Sequence, residues 1–595
     1  MKTFFKRYFF LLDKEAKRNL PILFIIFFSS SFLDVIGLGL IMAFLALIVN
    51  FDSVEHRLPL WAQHISTHFS KNEVIFFVGI GLVCSFIFKG FFSIYSQKKL
   101  VSFTSRFSAR LKMRLLRGYQ SASYLFHLNQ NSAYLINKIA LSDGFANGVL
   151  STSLNMLSYF LVALGIVTCL IVIHPIATCF LILMIGLIFI CYEKFVKNNL
   201  VKMGKILATS NGKITKSILQ AMWGLKEIRV LGKESFFLSK VETAVYDYTN
   251  ALSAFNALQL IPRFSVEAAA SIFLVALMLG ALLIGISPVN MFPAIGVFAA
   301  ACIRLLPIVS QLIGMFGQLR ASSYSSGLLY DEMIELENVS NTGLTEINVG
   351  ECQPFLQFSL YNVSFRYPNT KLDALSDVNL TFMRGQSIGL MGSSGAGKST
   401  LISIILGLLK PNSGDLLVDK KPIENLRSWL NNFAYIPQAI FLLDDTLKHN
   451  ITMGTEDNKI DVQKLDHAIE MAQLSDVVSN LPEGVDTLIG ENGVRLSGGQ
   501  RQRVALARAL YYEREIIVMD EATSSLDNET EREVINSIKK LHGIKTLIVI
   551  AHRLTTLAYC DRVYKLEKGR IIAEGSFSEV VGNSPSVNDA VITKN

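Results

Sequence analysis

Residues 388–399 read Ile-Gly-Leu-Met-Gly-Ser-Ser-Gly-Ala-Gly-Lys-Ser, and this stretch decides the fold of the C-terminal half. An apolar run typical of a buried strand leads into a glycine-rich turn. The run LISIILGLL that follows is typical of a helix. Glycines let backbone N–H groups curl around phosphates at a helix N-terminus, whose dipole favours anions. The stretch therefore predicts a phosphate-binding loop in an α/β domain.

Individual side chains of this loop have predicted tasks. Lys398 is expected to reach the β- and γ-phosphates of a nucleotide, and Ser399 to ligate Mg²⁺. ATP and Mg²⁺ are therefore the predicted ligands. The residues expected to hold them are Gly392, Ser393, Ser394, Gly395, Ala396, Gly397, Lys398, Ser399 and Thr400.

Two adjacent carboxylates end a second apolar strand, Ile516-Ile517-Val518-Met519-Asp520-Glu521. Asp520 is suited to the coordination shell of Mg²⁺, in the manner of phosphate-loop ATPases. Glu521 is placed to polarise the attacking water. The pair predicts that the domain hydrolyses its nucleotide.

The N-terminal half has the composition of a membrane protein. Across 595 residues, 51% are hydrophobic and 17% charged, fewer charges than the roughly 25% of soluble chains. The apolar runs crowd the first 320 residues. We predict a transmembrane domain over 1–337, a polar linker over 338–354 and an ATPase domain over 355–585. The fold class is an all-α six-helix membrane domain followed by an α/β nucleotide-binding domain.

Six segments reach the roughly 20 apolar residues that a spanning helix needs. They are about 20–50, 73–95, 145–172, 175–195, 259–285 and 289–318. The loops 96–138 and 194–240 are rich in Lys and Arg, whereas the alternate connections are short and nearly uncharged. The positive-inside rule therefore places both termini, the two basic loops and the ATPase domain in the cytoplasm.

The two basic loops predict helices that continue beyond the membrane. They mix apolar with basic residues and contain few prolines. We expect each helix pair to turn near Phe126–Tyr134 or near Met222–Ile228. Such turns are natural contact points for the ATPase domain. A membrane bundle with rigid extensions that do not contact the ATPase domain fits the same pattern.

Two further segments have amphipathic patterns. The N-terminus, MKTFFKRYFFLLDKEAKRN, lacks a small-residue cleavage site and suits a helix on the cytoplasmic membrane surface. Residues 51–72 place Leu60, Trp61, Ile65 and Phe69 at helical spacing. That predicts either a helix at the outer interface or a plain connector with a Trp anchor.

Other classes of site are not indicated. The net charge of +8 comes from Lys and Arg residues that lie beside the predicted membrane segments. No zinc pattern and no Arg-rich stripe interleaved with aromatic residues indicates nucleic-acid binding. The seven cysteines form no CxxC pair, so neither a disulfide framework nor a metal site is expected. Five of the cysteines lie in apolar segments, where we expect each to act as a buried, small hydrophobic side chain. They are Cys84, Cys169, Cys179, Cys191 and Cys302.

Five ionisable residues fall inside the predicted spans: Asp34, Lys89, Arg263, Glu267 and Arg304. Charges at such depth usually face a water-filled path or a partner. Arg263 and Glu267 stand four residues apart and suit an ion pair as well as a cargo site. The three cations would suit an anionic cargo.

Leu496-Ser497-Gly498-Gly499-Gln500, about 100 residues after the phosphate loop, matches the signature of ATP-binding-cassette proteins. The chain resembles this family specifically, because the other cassette motifs follow in order. The resemblance implies that Tyr367 stacks on adenine and that Gln438 senses the γ-phosphate and completes the magnesium shell. Thr487–Glu491 is similar to the exporter-type motif, Ser525-Leu526-Asp527 to the dimer-contact loop and His552 to the switch histidine.

The family's geometry implies an assembly. Each ATP lies between one subunit's phosphate loop and the signature of the other, so Ser497, Gly498, Gly499 and Gln500 are expected to act across an interface. This chain has one cassette, which implies a homodimer or a heterodimer with a related half. Six spans before the cassette resemble an exporter, and Gly224–Glu234 is similar to its second coupling-helix region.

The membrane half most resembles bacterial flippases of lipid-linked oligosaccharides. The likeness rests on FLDVIGLGLIMAFLALIVNF, the external segment, Ile261-Pro262-Arg263 with Glu267, and Arg304-Leu-Leu-Pro307. It implies that Lys89, Arg263 and Arg304 handle a lipid diphosphate in the inner membrane of a bacterium. It also implies that the external segment, 51–72, engages the polyprenyl tail.

Two alternatives stay open at this point. An exporter of peptides or hydrophobic drugs would have the same domain architecture. The first span begins too early for an N-terminal peptidase domain, which counts against a leader-cleaving peptide exporter. A gated channel or regulatory subunit would use ATP only as a switch. Glu521 and His552 count against the switch, because it does not need a complete hydrolytic set.

Overall fold

The computed structural model describes residues 2–49, 71–283, 288–339, 352–521, 531–532, 539–550 and 554–581. Two compact units make up the chain. The first comprises Met1–Gln120 and Asn129–Val339, and the second comprises Ser121–Leu128 and Ser340–Asn595. The predicted linker lies mostly outside the described residues, as do Leu60, Trp61, Ile65 and Phe69 of the external segment.

The described part of the first half of the chain consists of helices joined by short turns. The helices are α1 (Lys2–Leu11), α2 (Lys14–Val49), α3 (Lys71–Ser121), α4 (Tyr124–Asn129), α5 (Ser132–Phe145), α6 (Thr152–Ile173), α7 (Pro175–Trp223), α8 (Leu225–Val230), α9 (Glu234–Leu283), α10 (Pro288–Ala321) and α11 (Ser323–Val339). A π-helical turn, Ala146–Ser151, joins α5 to α6 without a break.

Six of the described helical stretches are long and apolar enough to cross a membrane, which confirms the predicted six-helix domain. Helix α3 has 51 residues, which at 1.5 Å each make roughly 75 Å. A bilayer core is only about 30 Å thick. The long helices therefore extend well beyond a bilayer, as the mixed basic loops predicted. The expected turns are the short helices α4 and α8.

Apolar side chains hold the membrane bundle together in two described clusters. One joins α6, α7, α9 and α10 around Phe273 and Phe298, whose ring centroids lie 5.5 Å apart. The other packs Leu200, Phe255 and Ile313 together. Of the five span cysteines only Cys302 is buried, whereas Cys84, Cys179 and Cys191 are exposed on this chain. The expected burial is wrong for those three, because their helix faces point away from the bundle.

A buried carboxylate ties three helices together at the end of this unit. Glu332 on α11 has 2% of its surface exposed. It accepts a hydrogen bond of 2.9 Å from the Tyr119 hydroxyl on α3 and forms an ion pair with Lys138 on α5. Helices α3 and α5 flank Ser121–Leu128 in the sequence, and α11 precedes the cassette. We call Tyr119, Lys138 and Glu332 the carboxylate clamp.

The cassette contains two sheets. A four-stranded antiparallel sheet has the order β2 (Leu375–Met383), β1 (Gln357–Phe365), β4 (Ser413–Val418), β5 (Lys421–Pro422). A six-stranded sheet has the order β10 (Arg570–Gly575), β9 (Arg562–Glu567), β3 (Ser387–Met391), β8 (Thr546–Ile550), β7 (Ile516–Asp520), β6 (Phe433–Ile436). Only its β9–β10 pair is antiparallel. The predicted α/β domain is confirmed.

The cassette helices pack on these sheets in two cores. They are α12 (Lys398–Ile405), α13 (Leu426–Leu430), α14 (Leu447–Ile451), α15 (Val462–Met471), α16 (Ser475–Ser479), α17 (Gly498–Tyr511), α18 (Leu554–Leu557) and α19 (Phe577–Val581). One core surrounds Trp429, which stacks on Phe358 at 5.1 Å and donates its indole N–H to the Ile405 carbonyl. That bond satisfies the C-terminal end of α12.

A segment from the first half of the sequence belongs to the cassette unit. Ser121–Leu128 clusters with the cassette, and Leu125 packs against the core that contains Trp429. The predicted turn near Phe126–Tyr134 thus begins with residues that fold with the nucleotide domain. The sequence alone left open a bundle without such a contact.

Candidate ATP site and membrane cavities

The glycine-rich turn folds as a loop that few other residues could form. It follows β3, and Gly395 and Gly397 have φ of +79° and +102°, a left-handed region that favours glycine. A Cβ atom at Gly397 would lie only 2.6 Å from the Ala374 carbonyl oxygen. Helix α12 begins at the next residue, so the loop delivers its backbone N–H groups to a helix N-terminus.

Lys398 lies inside this loop. Its side chain is buried, with 7% of the residue exposed, and its ammonium donates to the carbonyls of Gly392 at 2.7 Å and Ser393 at 3.0 Å. Both acceptors belong to the loop itself. The ammonium is therefore positioned inside the loop that the sequence predicts to surround phosphates.

Asp520 ends β7, two strands from β3 with β8 between them. At about 4.8 Å per strand, the two strand ends lie roughly 10 Å apart. The Tyr435 hydroxyl on β6 donates to Asp520 Oδ2 at 3.2 Å. Burial raises the pKa of Asp520, while the hydrogen bond from Tyr435 and the charge of Lys398 oppose that rise. The sheet thus brings Lys398 and Asp520 to one edge.

Glu521 and Gln438 meet at the same edge. The Gln438 side-chain amide donates to Glu521 Oε2 at 2.5 Å. Glu521 has a φ of 52°, unusual for a residue with a side chain, and its backbone N–H donates to the Ile550 carbonyl at 3.0 Å. This backbone turn directs the carboxylate towards Gln438. Two residues that are 83 positions apart in the sequence therefore share one contact.

The predicted adenine-stacking residue is anchored to the phosphate-loop helix. The Tyr367 hydroxyl lies 3.1 Å from Thr400 Oγ1, and its ring contacts Phe365 edge-on at 5.0 Å. The Thr400 residue is buried, whereas Ser399 beside it is exposed. The arrangement leaves the Ser399 hydroxyl on the accessible side of α12.

The signature residues form the start of α17. Ser497 is the N-cap, its hydroxyl accepts from Gln500 N–H at 3.2 Å, and its own N–H donates to Gln500 Oε1 at 2.8 Å. This capping box holds Gly498 and Gly499 at a helix N-terminus. Leu496 packs in the core that α14 and α15 share, whereas the phosphate loop packs in the core around Trp429.

Other predicted motif residues divide into described and undescribed ones. In the exporter-type motif, the Thr487 carbonyl accepts from Leu447 N–H at 3.0 Å, and Ile489 N–H donates to the Asp445 carbonyl at 3.1 Å. The motif therefore packs along the start of α14. His552 and Ser525-Leu526-Asp527 lie outside the described residues and stay predictions.

The described residues fit ATP with Mg²⁺. The loop carries an ammonium among glycines, and its helix begins there, which suits phosphate oxygens. A hydroxyl on Ser399, a carboxylate on Asp520 and an amide oxygen on Gln438 are the oxygen donors that Mg²⁺ prefers. These residues could hold the ion, which would neutralise charge on the transferred phosphoryl group.

Lys89 has a partner within the membrane bundle. Its ammonium forms an ion pair with Asp34 on α2 and also lies 5.8 Å from the Phe86 ring. The side chains are 13% and 29% exposed, respectively. This pair accounts for two of the five ionisable residues that the sequence placed within the spans.

Arg263 and Glu267 line a cavity of about 690 Å³ between α9 and α10. No ion pair joins these two residues in the part of the chain that the structure describes, so they are not the predicted pair. The polar residues in the rest of the wall are Thr152, Gln259, Ser310, Gln311 and Gln318, and they alternate with apolar ones such as Leu260, Leu306 and Met315. Arg304 is exposed on α10 and is not among the described residues of this wall. We call this the polar cavity.

An apolar cavity of about 840 Å³ lies on the other side of α10. Its walls come from α6, α7 and α10, with Phe160, Phe189 and Phe316 among them. Helix α10 directs Pro307, Gln311, Gly314 and Gln318 to the polar cavity and Leu305, Val309, Leu312, Phe316 and Leu319 to the apolar one. The 3.6-residue period separates these two sets by roughly half a turn.

The sequence contained signals for some of the contacts that motif reasoning missed. Gln259, Arg263 and Glu267 are spaced by four, which is a polar stripe along an apolar helix. Asp34 and Lys89 are opposite charges in neighbouring spans. By contrast, no sequence pattern indicated the bond from Tyr435 to Asp520, since those residues meet only through strand order.

A family model described as "ABC transporter" matches residues 375–524. The chain is also similar to proteins named "ATP-dependent lipid A-core flippase". The Salmonella typhimurium protein is 27% identical over 566 residues, which is 91% of this chain and 93% of that one. Those of Cupriavidus metallidurans and Alkalilimnicola ehrlichii are 42% and 30% identical over 226 and 389 residues. The latter two matches span 38% and 64% of the relatives' lengths.

A solved structure shares the fold over nearly the whole chain. It is titled "Structure of a bacterial Atm1-family ABC exporter with ATP bound". The TM-score is 0.74 at 18% identity, and the match covers 98% of this chain and 99% of that chain.

Proposed function

Since this chain belongs to the ABC transporters and has the exporter fold, we propose that it hydrolyses ATP to move an anionic lipid across the cytoplasmic membrane. The lipid we favour is a polyprenyl-diphosphate-linked oligosaccharide, moved outward. The observation that carries the cargo proposal is the two-faced helix α10, with the polar cavity on one side and the apolar cavity on the other. An amphiphile needs both kinds of surface.

Charge supports the anionic part of the cargo. Arg263 lines the polar cavity, and Arg304 is exposed on the same helix as one of its walls. Lys89 contributes less free charge, because Asp34 neutralises it. In low-dielectric surroundings an unpaired guanidinium is a strong partner for a phosphate, which it binds through two parallel hydrogen bonds.

Hydrolysis is assigned to the residues at the edge of the six-stranded sheet. Lys398 and the loop glycines bind the β- and γ-phosphates, and Glu521 polarises a water that attacks the γ-phosphorus. The bond from that phosphorus to the β–γ bridging oxygen then breaks, which releases ADP and phosphate. Gln438 holds Glu521 through the 2.5 Å contact and links it to the nucleotide. Mg²⁺ would supply charge neutralisation at the phosphates.

The working form in this proposal is a homodimer with both termini cytoplasmic. Within one chain, the phosphate loop and the signature pack in separate cores, which supports the idea that a second copy supplies the signature. Several basic residues flank the described spans on the side of α4 and α8, which supports the cytoplasmic placement of that side.

Stimulation of ATPase activity by candidate cargoes tests the proposal. Purified protein in nanodiscs is mixed with undecaprenyl-diphosphate-linked N-acetylglucosamine, with a short cationic peptide or with a hydrophobic drug. We expect stimulation by the lipid, and an affinity about 10- to 100-fold weaker in Arg263→Ala, since a charged hydrogen bond contributes about 1.5–3 kcal/mol. Stimulation by the peptide or drug alone would favour the second candidate, an exporter of such compounds, which the apolar cavity also suits.

A further inference from the structure

The wall of the polar cavity does not match a bare diphosphate. It contains one described cation, Arg263, and one described anion, Glu267, so these two formal charges cancel. A diphosphate offers only acceptor oxygens and negative charge. The carboxylate of Glu267, one helical turn from Arg263, would repel it. Something in the cargo other than phosphate must account for Glu267.

The remaining polar groups are mixed donors and acceptors. Gln259, Gln311 and Gln318 each carry an amide that donates and accepts, and Ser310 adds a hydroxyl. Gln259 lies next to α10, because a Cβ at Gly314 would be 3.2 Å from its Oε1. The Gln259 amide also lies 3.5 Å from Gln318 Oε1, at the limit of a hydrogen bond. Neutral amides at this spacing match ligands with several hydroxyl groups.

We propose that the polar cavity recognises the sugar next to the phosphate, and that Glu267 is the residue that accepts its hydroxyl groups. Arg263 binds the phosphate, one turn away on the same helix, and Gln311 faces them from α10. A carboxylate accepts from two neighbouring hydroxyls through its two oxygens. The volume of about 690 Å³ lies within the range of small-ligand pockets and suits a headgroup rather than a whole lipid. This inference rests on the proposed function and adds the specificity-determining residue.

A pair of lipids that differ only in the sugar tests it. Dissociation constants are measured for undecaprenyl diphosphate and for undecaprenyl-diphosphate-linked N-acetylglucosamine, with the full-length protein in nanodiscs. The wild type should bind the sugar-bearing lipid at least about tenfold tighter, because a hydrogen bond to a charged group contributes about that factor. Glu267→Ala should reduce the ratio to near one without weakening the sugar-free lipid, and Glu267→Gln should give an intermediate ratio. Arg263→Ala should weaken both lipids.

The matched control is Glu242→Ala, which removes an exposed carboxylate from the same helix and should preserve the ratio. Size-exclusion elution of each variant checks that it folds. Equal loss for both lipids in Glu267→Ala, or equal affinity in the wild type, would overturn the inference and leave the proposed function standing. If the wild type binds neither lipid, both fail. If a zwitterionic tripeptide then binds in a Glu267-dependent manner, the cavity belongs to a peptide exporter.

Discussion

Breaking the carboxylate clamp should destabilise the membrane unit far more than breaking an exposed ion pair on the same helices. Lys138→Met leaves the Glu332 carboxylate with 2% exposure and without its cation. Removing one partner of a buried pair typically costs about 3–5 kcal/mol. Because the Lys138 side chain is 21% exposed, we take the lower end, about 3 kcal/mol. At about 2 °C per kcal/mol, the melting temperature should fall by roughly 6 °C.

Three further variants separate the clamp from general damage. Tyr119→Phe removes only the 2.9 Å hydrogen bond and should cost about 1–3 kcal/mol. The double variant Lys138→Met with Glu332→Leu should recover most of the loss, since replacing both partners of a buried pair is often neutral. Arg114→Met opens the 2.7 Å contact with Glu337, whose side chains are 38% and 50% exposed, and should cost at most about 1 kcal/mol.

The assay is thermal unfolding of the detergent-purified protein, followed by far-ultraviolet circular dichroism and by retention on size exclusion after heating. The informative result is the ranking of the melting temperatures. Lys138→Met should have the lowest and Tyr119→Phe the next lowest, whereas the double variant and Arg114→Met should melt near the wild type. An equal fall in melting temperature for Lys138→Met and Arg114→Met would refute the reasoning, because burial would then make no difference to the cost of breaking an ion pair. A double variant less stable than Lys138→Met would refute it as well.

The other predictions concern the cassette. Glu521→Gln should lower the ATPase rate by about 10²–10⁴-fold and keep ATP binding, as rate and nucleotide-affinity measurements can check; an unchanged rate would reject Glu521 as the catalytic residue. Gly397→Ala should abolish ATP binding, because its Cβ would lie 2.6 Å from the Ala374 carbonyl at a φ of +102°; wild-type affinity would contradict this. The hydrogen bond to Asp445 raises the pKa of His449, so its stabilisation is complete below pH 6.5 and is lost as pH rises through the raised pKa. The melting-temperature gap between wild type and His449→Gln should therefore be wider at pH 6 than at pH 9, and equal gaps would speak against it.

Local chemistry explains why the strand, loop and helix around Lys398 were predictable. The phosphate loop is shaped by the backbone of consecutive residues, among them Gly397 and Lys398. Its geometry is therefore encoded in adjacent positions of the sequence. The same holds for the capping box of Ser497 and Gln500, which closes within four residues. Apolar length was likewise sufficient for the six membrane helices, because a bilayer demands that length.

Contacts between distant positions were not predictable in the same way. The polar cavity needs Gln259 on α9 and Gln311 on α10 to face each other, and no single stretch encodes that packing. The partner of Lys89 is Asp34, 55 positions earlier in the chain, and only the fold brings the two together. Glu332 had no motif at all, and its partners lie 194 and 213 positions away. Helix packing, rather than local pattern, decides these three features.

Lipid movement in sealed vesicles tests the central claim most directly. Proteoliposomes are loaded with a fluorescent undecaprenyl-diphosphate-linked N-acetylglucosamine, and a quencher reports its exposed fraction before and after ATP is added. The account predicts ATP-dependent transfer by the wild type and none above background by Glu521→Gln. Absence of ATP-dependent transfer by a wild type that hydrolyses ATP, or equal transfer by both proteins, would contradict it.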